Sequence, residues 1–170
     1  MAVLRVAFVV LLACSAIARA QEDVPLEYRV KAAYLANFVR FVEWPQRTDP
    51  GPVSICVAGP NPFGAVLDET VMGTQVNGRP VVARVLAAPD DGCHVLFIPQ
   101  GAPGTAGYLR AAQMGAATLT VGETADFITR GGMINFVREG VNIRFVINAG
   151  AAERAGVRIS SRLLRLARLP

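Results

Sequence analysis

Short, almost entirely apolar segments alternate with helix-like segments along this chain, and this alternation limits the folds that it can adopt. The clearest apolar segment, CHVLFIP at residues 93–99, is typical of a strand buried on both faces, as in a parallel sheet covered by helices. Three more segments have strand character: PVSICVAG (52–59), GRPVVARVLAA (78–88) and TLTVGE (118–123). The chain is therefore predicted to be an α/β sandwich with a mostly parallel sheet flanked by helices.

Helices are predicted where apolar residues recur at helical spacing or where turn residues mark an end. The predicted segments are 26–44, which Pro45 ends, 61–71 with Pro62 in its first turn, 105–114, which Gly115 stops, and a short helix within 124–132. The C-terminal segment 149–170 is predicted to be helical at both ends. Gly156 would end its first helix, and Ser160 or Ser161 would cap the second.

One segment predicts an antiparallel hairpin at the edge of the sheet. In MINFVREGVNIRFVIN (133–148), two strand-like runs flank a turn at Glu139-Gly140. In its second run, polar Arg144 and Asn148 alternate with apolar residues, so one face of this strand would lie near the sheet edge or line a groove. Arg144 and Asn148 are accordingly candidates for holding a small anionic ligand or a partner's main chain.

The first twenty residues are typical of a secretory signal peptide. Arg5 precedes an apolar run that is too short to span a bilayer, and Ala18-Arg19-Ala20 forms a small-x-small cleavage site. Residues 21–170 would then form a single domain of a size that buries a sizeable core. An alternative remains open, because LLAC at residues 11–14 resembles a lipobox whose Cys14 would be lipidated.

Charge and hydropathy exclude two classes of protein. Removing Arg5 and Arg19 with the leader would leave 15 basic and 13 acidic side chains. A nucleic-acid binder would show a concentrated basic face, which this chain lacks. No later apolar run reaches the 18 residues that a transmembrane helix requires.

The two cysteines that would remain after cleavage, Cys56 and Cys93, predict a disulfide. An even number of cysteines in an exported chain is typical of paired thiols. Both lie in strand-like segments that could come together as neighbours, and the bond would span 37 residues. The chain-entropy estimate for such a loop is about 3–4 kcal/mol.

Cys93 precedes His94, the only histidine of the chain, which raises two other hypotheses. A Cys-His nucleophile pair requires side chains that face each other, whereas neighbours on a strand point to opposite faces. A zinc site requires three or four ligands, and one histidine with two cysteines falls short of the usual closed set. Neither a catalytic pair nor a metal site is therefore expected.

The sequence also gives little sign of an enzyme. It contains no Gly-x-Ser-x-Gly elbow and no Walker loop, and its carboxylates are scattered. The segment GPNPFG (59–64) resembles a phosphate loop, but Pro60 and Pro62 lack the N–H donors that such a loop uses. A rigid turn is the better interpretation, and no cofactor is predicted.

Two surfaces are candidates for binding a partner. Phe38, Phe41 and Trp44 recur every third residue and would share one face of the predicted first helix, either in the core or as a docking stripe. Arg162 and Arg165 near the C-terminus would form a short basic stripe. That stripe is either a solvated face or a contact for an acidic partner or anionic lipid.

Several motifs, in order, resemble those of the YfiR-like periplasmic proteins. They are YRVKAAYLANFVRFVEWP (28–45), ICVAGPNPFG (55–64), VNGRPV (76–81), CHVLFI (93–98), LTVGETADFITRGGMINFV (119–137), NIRFVIN (142–148) and AGVRISSRLLRLA (155–167). The resemblance implies an exported α/β regulator with a disulfide between Cys56 and Cys93. It differs from relatives with a second cysteine pair, because no cysteine follows Cys93.

The same resemblance implies a function. Such relatives bind the periplasmic sensing domain of a membrane-anchored diguanylate cyclase and hold it inactive, which lowers cyclic-di-GMP and restrains biofilm formation. They also suggest a homodimer. The alternative is a periplasmic small-molecule-binding module without a cyclase partner.

Overall fold

The computed structural model describes residues 23–90 and 92–168. The leader, Cys14 and its alternative lipobox lie outside these residues. The helices are α1 (Leu26–Phe38), α2 (Val66–Val71), α3 (Thr105–Met114), α4 (Ala149–Arg154) and α5 (Ser161–Leu166). The strands are β1 (Val42–Glu43), β2 (Val53–Ala58), β3 (Gln75–Val76), β4 (Arg79–Leu86), β5 (Val95–Ile98), β6 (Leu119–Gly122), β7 (Ile134–Glu139), β8 (Asn142–Ile147) and β9 (Arg158–Ile159).

Seven strands form one sheet in the order β3-β4-β2-β5-β6-β7-β8. The five inner strands run parallel to one another: β4, β2, β5, β6 and β7. The edge strand β3 pairs antiparallel with β4, and the edge strand β8 pairs antiparallel with β7. This confirms the predicted α/β fold with a mostly parallel sheet and an antiparallel edge hairpin. Every residue of β2, β5 and β6 is buried, as expected for strands covered on both faces.

Alternate side chains of these central strands enter two separate cores. Ile55, Val57, Val95 and Phe97 pack in the larger core with α1, α2, α4 and α5, where Phe38 is also buried. Cys56 and Leu96 point to the opposite face and pack with Cys93 and α3. The disulfide therefore lies in the smaller core, on the α3 side of the sheet.

The first helix is shorter than the sequence predicted. Helix α1 ends at Phe38, and a turn follows in which Phe41 N–H donates to the Phe38 carbonyl at 3.0 Å. Residues Val42–Glu43 then pair with β9 in a second, two-stranded antiparallel sheet, here named the β1–β9 ribbon. This long-range pairing outweighs the local helical pattern, which otherwise continues to Pro45.

Two other helix predictions were wrong in extent or type. Helix α2 begins at Val66, because the Asn61 side chain accepts a hydrogen bond from Phe63 N–H and holds the Pro62 segment in a turn. Residues 124–132 form successive turns instead of a helix. The C-terminal prediction holds, since Gly156 adopts a φ of 72° after α4 and Ser160 caps α5.

Candidate functional site

A polar cluster lies at the amino ends of β2 and β5, and here it is named the amino-end cluster: Arg47, Asp49, Arg79 and His94. Arg47 and Asp49 come from the turn between β1 and β2, Arg79 begins β4, and His94 directly precedes β5. The β1–β2 turn, the first residue of β4 and the β4–β5 connection thus converge on one point. None of the four residues belongs to a catalytic motif that sequence analysis could recognise.

Asp49 joins the members of this cluster. Its carboxylate accepts hydrogen bonds from Arg47 Nε at 3.0 Å and from Arg79 Nη2 at 2.8 Å, and it lies 3.4 Å from His94 Nε2. Burial alone would raise the pKa of Asp49, but the hydrogen bonds and charge of Arg47, together with Arg79, lower that pKa below its ordinary value. Asp49 is therefore an anion that neutralises part of the arginine charge.

Arg47 connects the cluster to the disulfide. Its Nη1 donates to the Cys93 carbonyl at 2.6 Å, and only 7% of its side chain is exposed. Cys93 itself is bonded to Cys56, with 5.8 Å between the two Cα atoms. The disulfide confirms the predicted pairing. Cys93 and His94 were predicted to begin a strand, but both precede β5, which starts at Val95.

His94 is a buried, neutral structural residue. It is 1% exposed, and its Nδ1 accepts a hydrogen bond from Ser54 N–H at 3.2 Å. Burial, and then the charge of Arg47, lowers the pKa of His94 to about 4. His94 Nε2 lies 3.1 Å from Arg79 Nη2 and 3.4 Å from the Asp49 carboxylate, so both ring nitrogens face polar groups.

A cavity of about 320 Å³ opens beside the amino-end cluster, under the β1–β9 ribbon. Its walls include Trp44, Arg47, Arg79 and Arg158, with aliphatic side chains of Val42, Val53 and Val76. Trp44 packs edge-on against His94, with ring centroids 5.4 Å apart. Sequence analysis did not identify the cavity or its residues Arg47 and Arg79, because segments that are distant in the chain supply its walls.

The structure separates the three aromatic residues that sequence analysis grouped. Phe38 is fully buried in the larger core, so its side chain offers no docking surface. Phe41 and Trp44 are half-buried beyond the end of α1. The Arg162 guanidinium lies 5.5 Å from the centre of the Phe41 ring, a cation–π contact that joins the two predicted surfaces. Arg165 is exposed on α5.

The structure places the two residues considered for ligand binding on the last strand of the edge hairpin and directly after it. Arg144 is exposed on β8. The Asn148 side chain accepts a hydrogen bond from Ala151 N–H at 3.0 Å and caps α4. The side-chain oxygen of Asn148 is thus already used in holding a helix terminus.

A second charged cluster, here named the carboxyl-end cluster, lies at the opposite ends of the parallel strands. Lys31 Nζ of α1 bonds to both Glu27 and Glu123, and its side chain is 3% exposed. Glu123 directly follows β6, and it also accepts from Tyr28 Oη at 3.2 Å and Gln100 N–H at 2.6 Å. Burial, and then the Glu123 charge, raises the pKa of Tyr28 to about 12.

Comparisons with known proteins agree on the type of fold. A family model described as YfiR/HmsC-like (DUF4154) matches residues 28–168. The chain is also similar to the crystal structure of a conserved domain protein from Vibrio cholerae O1 biovar El Tor str. N16961, with a TM-score of 0.54 and 15% identity. That likeness covers 82% of this chain but only 58% of the other, and at this identity it concerns the fold alone.

Proposed function

The chain belongs to the YfiR/HmsC-like family, and we propose that it is an exported periplasmic regulator that binds a membrane-anchored diguanylate cyclase. The observation that carries this proposal is the family match over residues 28–168, nearly all of the part that the structure describes. Residues 1–20 would be the leader, and residues 21–170 the regulatory domain. Within residues 23–90 and 92–168, no helix is long and apolar enough to cross a bilayer.

Regulation would operate through differential binding. A protein that binds the inactive conformation of the cyclase more tightly than the active one shifts the population towards inactivity. Cyclic-di-GMP and biofilm formation would fall accordingly. Such a regulator requires a complementary surface and no reacting groups of its own.

The chemistry of the amino-end cluster favours binding over catalysis. Both cysteine sulfurs are used in the disulfide, and Asp49 is held by two arginines. A histidine with a pKa of about 4 whose Nδ1 accepts a backbone hydrogen bond is a poor general base at neutral pH.

The partner surface that we propose is the outer side of the β1–β9 ribbon with the start of α5. Phe41 supplies a half-buried aromatic ring, Arg162 lies against it, and Arg165 is exposed one turn further along α5. Phenylalanine and arginine are both enriched at protein–protein interfaces. A homodimer could use the same ribbon, and the arginines suit an acidic patch on either partner.

A pull-down from detergent-solubilised membranes tests the proposal, with the oxidised exported protein as bait and mass spectrometry as readout. We expect recovery of an inner-membrane protein that carries a diguanylate cyclase domain. A Phe41→Ala/Arg162→Glu bait should recover at least tenfold less, whereas Arg154→Gln, which changes an exposed arginine of α4, should recover as much as the wild type. A folded wild-type bait that recovers no cyclase would contradict the proposal.

Deleting the gene provides the cellular test. Cyclic-di-GMP and surface attachment should both rise, and complementation with the wild-type chain should restore them. No change in either quantity would argue against a cyclase partner and for the small-molecule-binding alternative.

A further inference from the structure

The cavity under the β1–β9 ribbon contains hydrogen-bond donors without acceptors. The indole Nε1 of Trp44 is buried and has no hydrogen-bond partner within residues 23–90 and 92–168. Arg158, on β9, lines the same cavity and makes no ion pair or side-chain hydrogen bond with any residue that the structure describes. Because this indole nitrogen is enclosed, the donor that a ligand in the cavity can reach is the Arg158 guanidinium, and Trp44 contributes its ring to the wall.

The charges around the cavity favour an anion. Arg47, Arg79 and Arg158 line it, and the acidic groups nearby are Glu43 on its wall and Asp49 beside it. Asp49 is already shared between Arg47 and Arg79. His94 is neutral at pH 7 and adds no charge. The three arginines, Glu43 and Asp49 together carry one net positive charge, and Glu153 of α4 shares the neighbouring cavity with Arg158.

Glu43 does not supply the missing acceptor. Glu43 and Arg158 are register partners across the β1–β9 ribbon, yet within the described part of the chain no ion pair of 4 Å or less joins their side chains. Glu43 is itself exposed. An anion that bound at Arg158 would therefore replace solvent and would break no existing bond.

We propose that this cavity binds a small oxyanion, a carboxylate or a phosphate, with the Arg158 guanidinium as its donor and the Trp44 ring as part of its wall. Arginine holds either group through two parallel hydrogen bonds. The aliphatic side chains of Val42, Val53 and Val76 would cover the apolar part of the ligand. The volume of about 320 Å³ lies at the lower end of the range for small-molecule sites. This inference does not depend on a cyclase partner.

Trp44 is the only tryptophan of the chain, so its indole N–H gives a single side-chain resonance in a proton–nitrogen correlation spectrum. Oxidised full-length mature protein would be titrated with benzoate in one series and inorganic phosphate in another, at constant ionic strength. We expect a saturable shift of the indole resonance with at least one of the two probes. Saturation by benzoate alone would identify a carboxylate site, and saturation by phosphate alone a phosphate site.

Variants connect the shift to the cavity. Arg158→Gln should weaken the apparent affinity at least tenfold, whereas Arg154→Gln, which removes an exposed arginine of the neighbouring α4, should leave it unchanged. Trp44→Phe removes the reporter resonance but keeps an aromatic ring in the wall. The increase in melting temperature that the same probe causes should therefore persist in this variant. A linear shift, an equal affinity in both arginine variants, or no shift with either probe would overturn the proposal.

Discussion

The two charged clusters at opposite ends of the parallel strands differ in what their charges are used for. In the carboxyl-end cluster, the Lys31 ammonium bonds to the carboxylates of Glu27 and Glu123. Glu123 also accepts hydrogen bonds from Tyr28 Oη and Gln100 N–H. In the amino-end cluster, the Asp49 carboxylate pairs with Arg47 and Arg79. In the adjoining cavity, neither Arg158 nor the Trp44 indole N–H has a hydrogen-bond acceptor among the described residues.

This difference shows that burial of charge does not by itself identify a binding site. A cavity of about 240 Å³ also opens beside the carboxyl-end cluster, at the strand ends where α/β proteins often bind ligands, but there the lysine is already paired with two carboxylates. The cavity beside the amino-end cluster differs because Arg158 has no ion-pair partner among the described residues. The first cluster should therefore affect stability most, and the second ligand binding.

The largest effect is expected from Lys31→Met. The change leaves Glu123, whose side chain is 5% exposed, without its cation, and breaking such a buried pair costs about 3–5 kcal/mol of unfolding free energy. Arg138→Met is the matched control, because Arg138 pairs with Glu27 but is 70% exposed and should cost about 0–1 kcal/mol. Urea unfolding measures both, and equal losses would refute a structural role for Lys31.

The disulfide should be next in size. Replacing both Cys56 and Cys93 with serine should lower the unfolding free energy by about 3–4 kcal/mol, since the bond spans 37 residues. Because Arg47 bonds to the Cys93 carbonyl, amide hydrogen exchange near the amino-end cluster should accelerate more than exchange around Lys31. Uniform acceleration at both ends would contradict this local connection.

Acid should weaken the amino-end cluster through His94. The pKa of His94 is lowered from 6.5 to about 4 in the folded state, so the folded protein binds a proton less readily than the unfolded chain. This contribution is present above pH 6.5 and is lost as pH falls towards 4, by about 3 kcal/mol. His94→Asn keeps an acceptor for Ser54 N–H and should flatten the stability profile between pH 6.5 and 5. A profile as steep as that of the wild type would assign the effect to other groups.

The smallest effect on stability is expected from Arg158→Gln. Arg158 is exposed, and no described residue accepts a hydrogen bond from its side chain, so the unfolding free energy should change by less than about 0.5 kcal/mol. Thermal unfolding without ligand measures this. If the unfolding free energy fell by more than about 1 kcal/mol, Arg158 would be stabilising the β1–β9 ribbon. The two clusters would then not differ in the way proposed.

Much of the fold could be predicted from the sequence because its central strands are strongly patterned. The apolar runs at 52–59 and 93–99 predicted buried parallel strands, and the exported cysteines predicted their bond. The end of α1 could not be predicted, since Val42–Glu43 becomes a strand only by pairing with residues more than one hundred positions later.

The candidate site was less accessible to sequence analysis for a related reason. Arg47, Asp49 and Arg79 are ordinary turn and strand-end residues in the sequence, and only tertiary structure brings them to His94. Phe38, Phe41 and Trp44 appeared as one stripe because their spacing is helical, whereas the chain turns after Phe38. Local spacing identifies a shared face only where the element continues.

The burial of Lys31 has a practical consequence for proteolysis. Lys31 is the only lysine of the chain, and it lies on α1 with its ammonium enclosed. A lysine-specific endoprotease therefore has a single cleavage site, which it reaches only when α1 detaches from the sheet. The rate of that one cut would report how often the first helix opens, without any label or substitution in the protein.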